Sequence, residues 1–100
     1  MGKKLQILTV CGFGVGSSIF LKINIEKILR EKQIKADVSA ADVSSASGFD
    51  VDVIFTAKEY EKLISDKTSI PVFSIKNFLN RQEIEEIVLE ALDDIDGLEN

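Results

Sequence analysis

The residues with the most evident chemistry are a single cysteine, Cys11, and the segment that follows it, which together read Cys-Gly-Phe-Gly-Val-Gly-Ser-Ser. Three glycines within five residues allow positive φ angles and a tight loop. Successive backbone N–H groups in such a loop form a concave nest that binds anions. A helix that begins behind the loop adds its dipole and its unsatisfied N–H groups. The segment therefore predicts an anion site at the thiol of Cys11.

We predict that this anion is a phosphoryl group carried on Cys11. The field that binds an anion also stabilises a thiolate and lowers the pKa of the thiol. A thiolate inside a nest can accept and hold a phosphoryl group. The alternative is that Cys11 is only a small buried hydrophobic residue. The predicted phosphate-binding residues supply backbone N–H groups and two hydroxyls, and they are Gly12, Phe13, Gly14, Val15, Gly16, Ser17 and Ser18.

Other glycine-rich loops fit this sequence less well. A dinucleotide fingerprint needs G-x-G-x-x-G, whereas this loop reads G-x-G-x-G. Asp42 lies where a ribose-binding acid could sit, but a chain of 100 residues lacks room for a second nucleotide-binding half. A nucleoside-triphosphate loop needs a lysine before Ser17 or Ser18, and there is none. A tyrosine phosphatase loop needs an arginine at position 17, where this chain has serine, so the clamp for the transferring group is missing. The loop is thus predicted to keep a phosphoryl group and pass it on.

Strands and helices alternate along the chain, which favours an α/β fold with a parallel sheet. Right-handed crossovers predict a four-stranded sheet of order 2-1-3-4 with helices on both faces, a three-layer α/β/α domain over residues 1–100. Ligands bind such sheets at the carboxyl ends of the strands, beside strand one, where Cys11 lies. The predicted strands are 5–10, 36–41, 51–55 and 70–75; the predicted helices are 18–32, 57–64 with a Thr56–Glu59 capping box, and one beginning after Asn80 with Glu83 in its cap.

The first predicted helix has two apolar sides. Leu21, Ile25, Ile28 and Leu29 form a stripe at helical spacing that should face the core. Ile19, Phe20 and Ile23 lie on a different side near Cys11, and with Phe13 they predict a docking surface for partner proteins. Lys22 is the candidate for charge steering at its rim. The alternative is that the C-terminal helix covers Ile19 and Ile23.

Composition excludes several classes of function. The net charge of −5 disfavours binding to nucleic acid or to an anionic membrane surface. The chain has no histidine, which removes Cys-His and Ser-His-Asp catalysis and histidine metal sites. One cysteine fits a reducing cytoplasm, and no apolar run is long enough to insert in a membrane. We expect a cytoplasmic protein with no metal and no cofactor.

The segment Cys11-Gly12-x-Gly14-x-Gly16-Ser17-Ser18 after strand one resembles the phosphorylation loop of the IIB components of the bacterial sugar phosphotransferase system. It is most similar to the ascorbate type within the lactose/ascorbate superfamily. The resemblance implies a phosphotransferase in which Cys11 accepts a phosphoryl group from a phosphohistidine IIA protein. The group then passes to sugar bound by the membrane permease IIC. The alternatives are a regulatory domain of the same fold and a hydrolase like the low-molecular-weight tyrosine phosphatases.

Overall fold

A computed structural model of the chain describes residues 5–11, 16–78 and 80–99, with side chains at 5–10, 19–46, 48–78 and 80–93. The elements in these residues are β1 (Leu5–Cys11), α1 (Gly16–Glu31), β2 (Ala36–Asp42), β3 (Val53–Ala57), α2 (Glu61–Ser65), β4 (Val72–Ile75) and α3 (Arg81–Glu99). Single 3-10 turns lie at Ala46–Gly48 and at Lys58–Tyr60.

The four strands form one parallel sheet in the order β2-β1-β3-β4, which confirms the predicted topology. β1 is a central strand, and it pairs with β2 along its whole length from Leu5 opposite Ala36 to Cys11 opposite Asp42. β4 is an edge strand that begins directly after Pro71. Proline has no backbone N–H to donate to a neighbouring strand, so it is tolerated at a sheet edge. The carboxyl ends of all four strands therefore meet at the edge where Cys11 lies.

Helices cover both faces of the sheet, as predicted. On one face α1 and α3 bury an apolar core that includes Leu21, Ile25 and Ile28 of α1 against Ile7 and Phe55 of the sheet. On the other face Ile64 of α2 and Ala46 of the 3-10 turn cover a smaller cluster. Alternate residues of each strand enter the two cores, because successive side chains in a strand point to opposite faces. Ile7 enters the first core and Leu8 the second.

Several predicted boundaries shift by one to three residues. α1 begins at Gly16 and ends at Glu31, so Ser17 and Ser18 lie in its first turn. The predicted helix 57–64 is a 3-10 turn at Lys58–Tyr60 followed by α2 at Glu61–Ser65. β3 and β4 both begin two residues later than predicted, at Val53 and Val72.

The predicted Thr56–Glu59 capping box is wrong. Thr56 lies inside β3 and is fully buried, and its hydroxyl donates a hydrogen bond to the carbonyl of Val10 at 3.0 Å. The 3-10 turn that follows begins after Ala57 and has no side-chain cap. A hydroxyl in this core must find a partner, since an unpaired buried hydroxyl is costly, and the neighbouring strand offers the nearest acceptor.

The start of α3 is capped as predicted, with one difference. The N–H of Glu83 donates to Asn80 Oδ1 at 3.1 Å. The carboxylate of Glu83 does not return to Asn80; it accepts the N–H groups of Lys76 at 2.8 Å and Asn77 at 3.1 Å. Glu83 therefore holds the turn that joins the end of β4 to α3.

Candidate functional site

Cys11 is the last residue of β1, at the carboxyl edge of the sheet. β2 lies on one side of β1 and β3 on the other, so the connections before and after β2 run in opposite directions across the sheet. Cys11 lies beside this switch point. Open parallel sheets bind ligands in the crevice that forms at such a switch point. The backbone thus places the candidate residue where this class of fold holds its ligands. The side chain of Cys11 lies outside the described side chains.

The N-terminus of α1 follows Cys11 closely in the chain, because the helix begins at Gly16. The first N–H groups of a helix have no partner within it, so they can bind an anion together with the helix dipole. The first turn of α1 contains no acidic residue, which leaves that field uncancelled. Of the predicted phosphate-binding residues, Gly16, Ser17 and Ser18 belong to this turn by their backbone. Gly12, Phe13, Gly14 and Val15 lie outside the described residues.

The strand that leads to Cys11 is held by two buried hydroxyls. Thr9 and Thr56 are fully buried polar residues within an otherwise apolar core. Thr56 donates to the carbonyl of Val10, the residue directly before Cys11, and Thr9 donates to the carbonyl of Ser39 on β2 at 3.2 Å. Both bonds cross between strands in addition to the backbone ladder. They fix the end of β1 against β3 on one side and β2 on the other.

A second polar structure lies at the end of β2. Asp42 Oδ1 accepts the hydroxyl of Ser44 at 2.8 Å, the hydroxyl of Ser45 at 2.7 Å and the N–H of Ser45 at 3.0 Å. These hydrogen bonds from Ser45 and Ser44 hold the pKa of the Asp42 carboxyl below its ordinary value, because they favour the charged form. Asp42 is the β2 residue in register with Cys11. The site therefore has an ionised carboxylate on a neighbouring strand.

The outer side of α1 is apolar where the helix begins. Ile19, Phe20 and Ile23 are 43%, 46% and 44% exposed, so α3 does not cover them. The stripe of Leu21, Ile25, Ile28 and Leu29 is buried, as predicted. Lys22, the candidate for charge steering, forms an ion pair with Glu26 one turn later at 3.3 Å. Part of its charge is thus compensated within the helix.

Among the described side chains, at 5–10, 19–46, 48–78 and 80–93, no three metal-ligating groups come together. Among the helices described there, none combines the length and the apolar composition needed to cross a bilayer.

The fold and the position of Cys11 define a parallel α/β domain with a cysteine at the switch point of its sheet. The family model for the lactose/cellobiose-specific IIB subunit of the phosphotransferase system matches residues 6–90. The chain belongs to this IIB family. Members of the family are components of a sugar phosphotransferase system, which implies a phosphotransferase role in sugar uptake.

One curated protein and two solved structures are similar to this chain over most of its length. The ascorbate-specific EIIB component of Mycoplasma pneumoniae is 26% identical over 92 residues, which are 90% of this chain and 97% of that protein. The lactose-specific IIB domain of Streptococcus pneumoniae has a TM-score of 0.68 at 16% identity, covering 89% of this chain and 98% of that one. A low-molecular-weight tyrosine phosphatase from Bacillus subtilis has a TM-score of 0.59 at 13% identity, over 90% and 98% of the two chains. Both structural likenesses concern the fold alone.

Sequence reasoning missed the contribution of Thr56 and Asp42 to this edge. The sequence pattern predicts a helix cap at Thr56, and it offers a ribose-binding acid or an ordinary loop residue as the role of Asp42. A signal for Asp42 does exist in the sequence: an aspartate followed by Ser44 and Ser45 at a strand end is typical of a side-chain-stabilised turn. No local pattern predicts the hydrogen bond of Thr56, because its partner Val10 lies 46 residues away in the chain.

Proposed function

We propose that this chain is a cytoplasmic phosphocarrier that takes a phosphoryl group from a IIA protein onto Cys11 and gives it to a sugar. The observation that carries the proposal is the backbone geometry: Cys11 ends the central strand, and a helix N-terminus free of acidic residues begins at Gly16. Family membership adds the phosphotransferase context. The proposed carrier atom is Sγ of Cys11, and the proposed donors are the N–H groups of residues 12–18 with the hydroxyls of Ser17 and Ser18.

The proposed chemistry has two in-line transfers. The Cys11 thiolate attacks the phosphorus of a phosphohistidine, the P–N bond breaks, and the histidine of IIA leaves and takes up a proton. A hydroxyl oxygen of a sugar bound to the IIC permease then attacks the same phosphorus, the hydroxyl proton is lost to solvent, the S–P bond breaks, and the thiolate is restored. The role of this chain in both steps is to hold the negative charge of the phosphoryl group with backbone dipoles that are already oriented.

The proposed docking surface is the exposed apolar start of α1. Ile19, Phe20 and Ile23 are each more than two-fifths exposed and follow the loop directly, and Phe13 of the loop would extend them. An apolar rim around the thiol suits a partner that must exclude water while the group is transferred. We assign the same surface to IIA and IIC in turn, because both must reach the one sulfur.

The decisive experiment follows the transfer of a radiolabelled phosphoryl group to this chain. The wild-type chain and Cys11→Ser are incubated with a radiolabelled phosphorylated IIA protein, and the labelled product is treated with iodine and with mild base. We expect a label on the wild type that iodine removes and mild base does not, and no label on Cys11→Ser. Full labelling of Cys11→Ser would refute the proposal.

The same preparation separates the alternatives. A carrier passes its label to sugar when the membrane permease is added, whereas a regulatory domain would keep it. A phosphatase would release phosphate from a small aryl phosphate such as p-nitrophenyl phosphate. We expect little such hydrolysis, because position 17 has serine where the phosphatase loop needs arginine.

A further inference from the structure

A cavity lies between the last turns of α1 and the start of β2, at the end of the sheet opposite Cys11. Its volume is about 230 Å³, which suits a molecule smaller than the ligands that occupy pockets of roughly 300 Å³ or more. Arg30, near the end of α1, lies about 21 Å along the helix from Gly16, since each residue rises about 1.5 Å. The cavity is therefore separate from the proposed phosphoryl site. The residues that line it are Glu26, Leu29, Arg30, Ile34, Lys35 and Ala36.

A tight turn after α1 forms one wall of the cavity. Gln33 has a φ of 59°, the left-handed conformation in which many helices end. The N–H of Gln33 donates to the carbonyl of Arg30 at 3.1 Å, and the N–H of Ile34 donates to the carbonyl of Leu29 at 2.9 Å. This pair of bonds is the Schellman arrangement, which brings the residue after the turn onto the last turns of the helix. Leu29 is buried and Ile34 packs against the same core, so the fold fixes an apolar wall.

Two cations line the cavity and have no partner among the described side chains. Arg30 and Lys35 are both exposed, and within the described ranges neither side chain forms an ion pair or a hydrogen bond. Glu31, the acidic neighbour of Arg30 in the chain, instead forms an ion pair with Arg81 of α3. The guanidinium of Arg30 and the ammonium of Lys35 are thus both available to a ligand.

Glu26 is the acidic residue of the lining, and its charge is partly compensated. Its carboxylate forms an ion pair with Lys22 Nζ at 3.3 Å, one turn earlier in α1. The lining therefore has two positive charges against one negative charge, in a chain whose net charge is −5. This local excess of positive charge favours an anionic ligand.

A phosphate monoester matches this combination of charge and apolar wall. It carries nearly two negative charges at neutral pH, so it can engage both cations at once. Arginine can donate a pair of parallel hydrogen bonds to phosphate oxygens, and lysine acts as a point charge. We infer that the cavity binds a small organic phosphate monoester, with its phosphate on Arg30 and Lys35 and its carbon body on Leu29 and Ile34.

The test is an NMR titration of the isotope-labelled chain with glycerol-3-phosphate, followed in amide correlation spectra. We expect saturable shifts of the amides of Ile34, Lys35 and Ala36, with half-saturation at about 1 mM, the affinity of a ligand of about ten heavy atoms at ordinary efficiency. Glycerol, which lacks the phosphate, should leave these amides unshifted. No saturation at the three amides up to about 20 mM glycerol-3-phosphate would overturn the inference.

Variants of the lining locate the bound phosphate. Arg30→Gln and Lys35→Gln each remove one positive charge, and we expect each to weaken binding by about fivefold or more, because a charge-assisted hydrogen bond is lost. Glu26→Gln removes the negative charge and should strengthen binding by about twofold. Lys62→Gln is the matched control, because Lys62 is also exposed but belongs to α2, which covers the other face of the sheet through Ile64. It should bind as the wild type does.

The same spectra separate this inference from the proposed function. Phosphate held at the proposed phosphoryl site would shift the amides of Gly16, Ser17 and Ser18 in the first turn of α1. If only those amides shift, the inference fails and the proposed function is unaffected. Equal weakening in Lys62→Gln and Arg30→Gln would also overturn the inference, since it would indicate general screening by surface charge. The spectrum of each free variant shows that it is folded, and Arg30→Lys, which loses the paired donors, replaces Arg30→Gln if that variant is unfolded.

Discussion

Replacing Phe20 with aspartate tests whether the exposed start of α1 is a docking surface. Phe20 is 46% exposed, and a phenylalanine side chain buries about 200 Å² when covered, so about 90 Å² is available to a partner. At about 25 cal/mol per Å², covering this area stabilises a complex by about 2 kcal/mol. We therefore expect Phe20→Asp to weaken the productive complex with phosphorylated IIA by about 30-fold.

The folded domain should tolerate this change. Phe20 lies in the second turn of α1 and is 46% exposed, so the carboxylate of an aspartate there remains in water. A surface substitution of this kind changes the free energy of unfolding by about 0.5 kcal/mol or less. Leu63→Asp is the control, because Leu63 is 45% exposed and belongs to α2, which covers the other face of the sheet through Ile64.

The assay is the initial rate of label transfer from phosphorylated IIA at several donor concentrations, with urea unfolding run on the same samples. We expect the apparent KM for the donor to rise in Phe20→Asp and to stay at the wild-type value in Leu63→Asp. Equal loss in both variants would mean that charge alone slows transfer. A large fall in stability of Phe20→Asp would mean that Phe20 belongs to the core.

Two further predictions concern the parts of the fold that hold this edge. Ile54→Ala should lower the free energy of unfolding by about 2–5 kcal/mol, because Ile54 is fully buried in the core on the α2 side of the sheet. Chemical denaturation measures this loss, and a loss below about 1 kcal/mol would show that this core is loosely packed. Glu83→Ala should lower the free energy of unfolding by about 1–2 kcal/mol, since it leaves the N–H groups of Lys76 and Asn77 without their acceptor. Glu83→Gln keeps one acceptor oxygen and should lower it less. Equal stability of the wild type and both variants would rule out a role for these bonds.

The sheet order and the two faces of α1 were accessible from the sequence for physical reasons. Parallel strands need crossovers, and crossovers have one hand, so the alternation of elements leaves few topologies. The stripe of Leu21, Ile25 and Ile28 has a helical period, and all three residues are fully buried. The apolar residues outside that stripe, Ile19 and Phe20, were correctly separated from the core by the same period.

The polar structure of the site was less accessible, because it depends on contacts between distant parts of the chain. Thr56 begins a local pattern that favours a capping box, yet its hydroxyl bonds to Val10 on β1. The strand pairing prevails over the local preference, since it places Thr56 in the core where a buried acceptor is at hand. Glu83 shows the same effect, because its carboxylate bonds to the turn after β4 instead of to the expected cap residue.

A IIB domain and a tyrosine phosphatase both share this fold, so the fold alone does not decide between transfer and hydrolysis of a phosphoryl group proposed on Cys11. Hydrolysis needs a group that stabilises the charge of the transition state as water attacks, and an arginine clamp supplies it. In this chain position 17 is serine in the first turn of α1, so the loop lacks that clamp. Under the proposed function, the backbone dipoles hold the phosphoryl group but give an attacking water little help. Release to an acceptor that brings its own binding energy is then favoured, as with a sugar held in a permease.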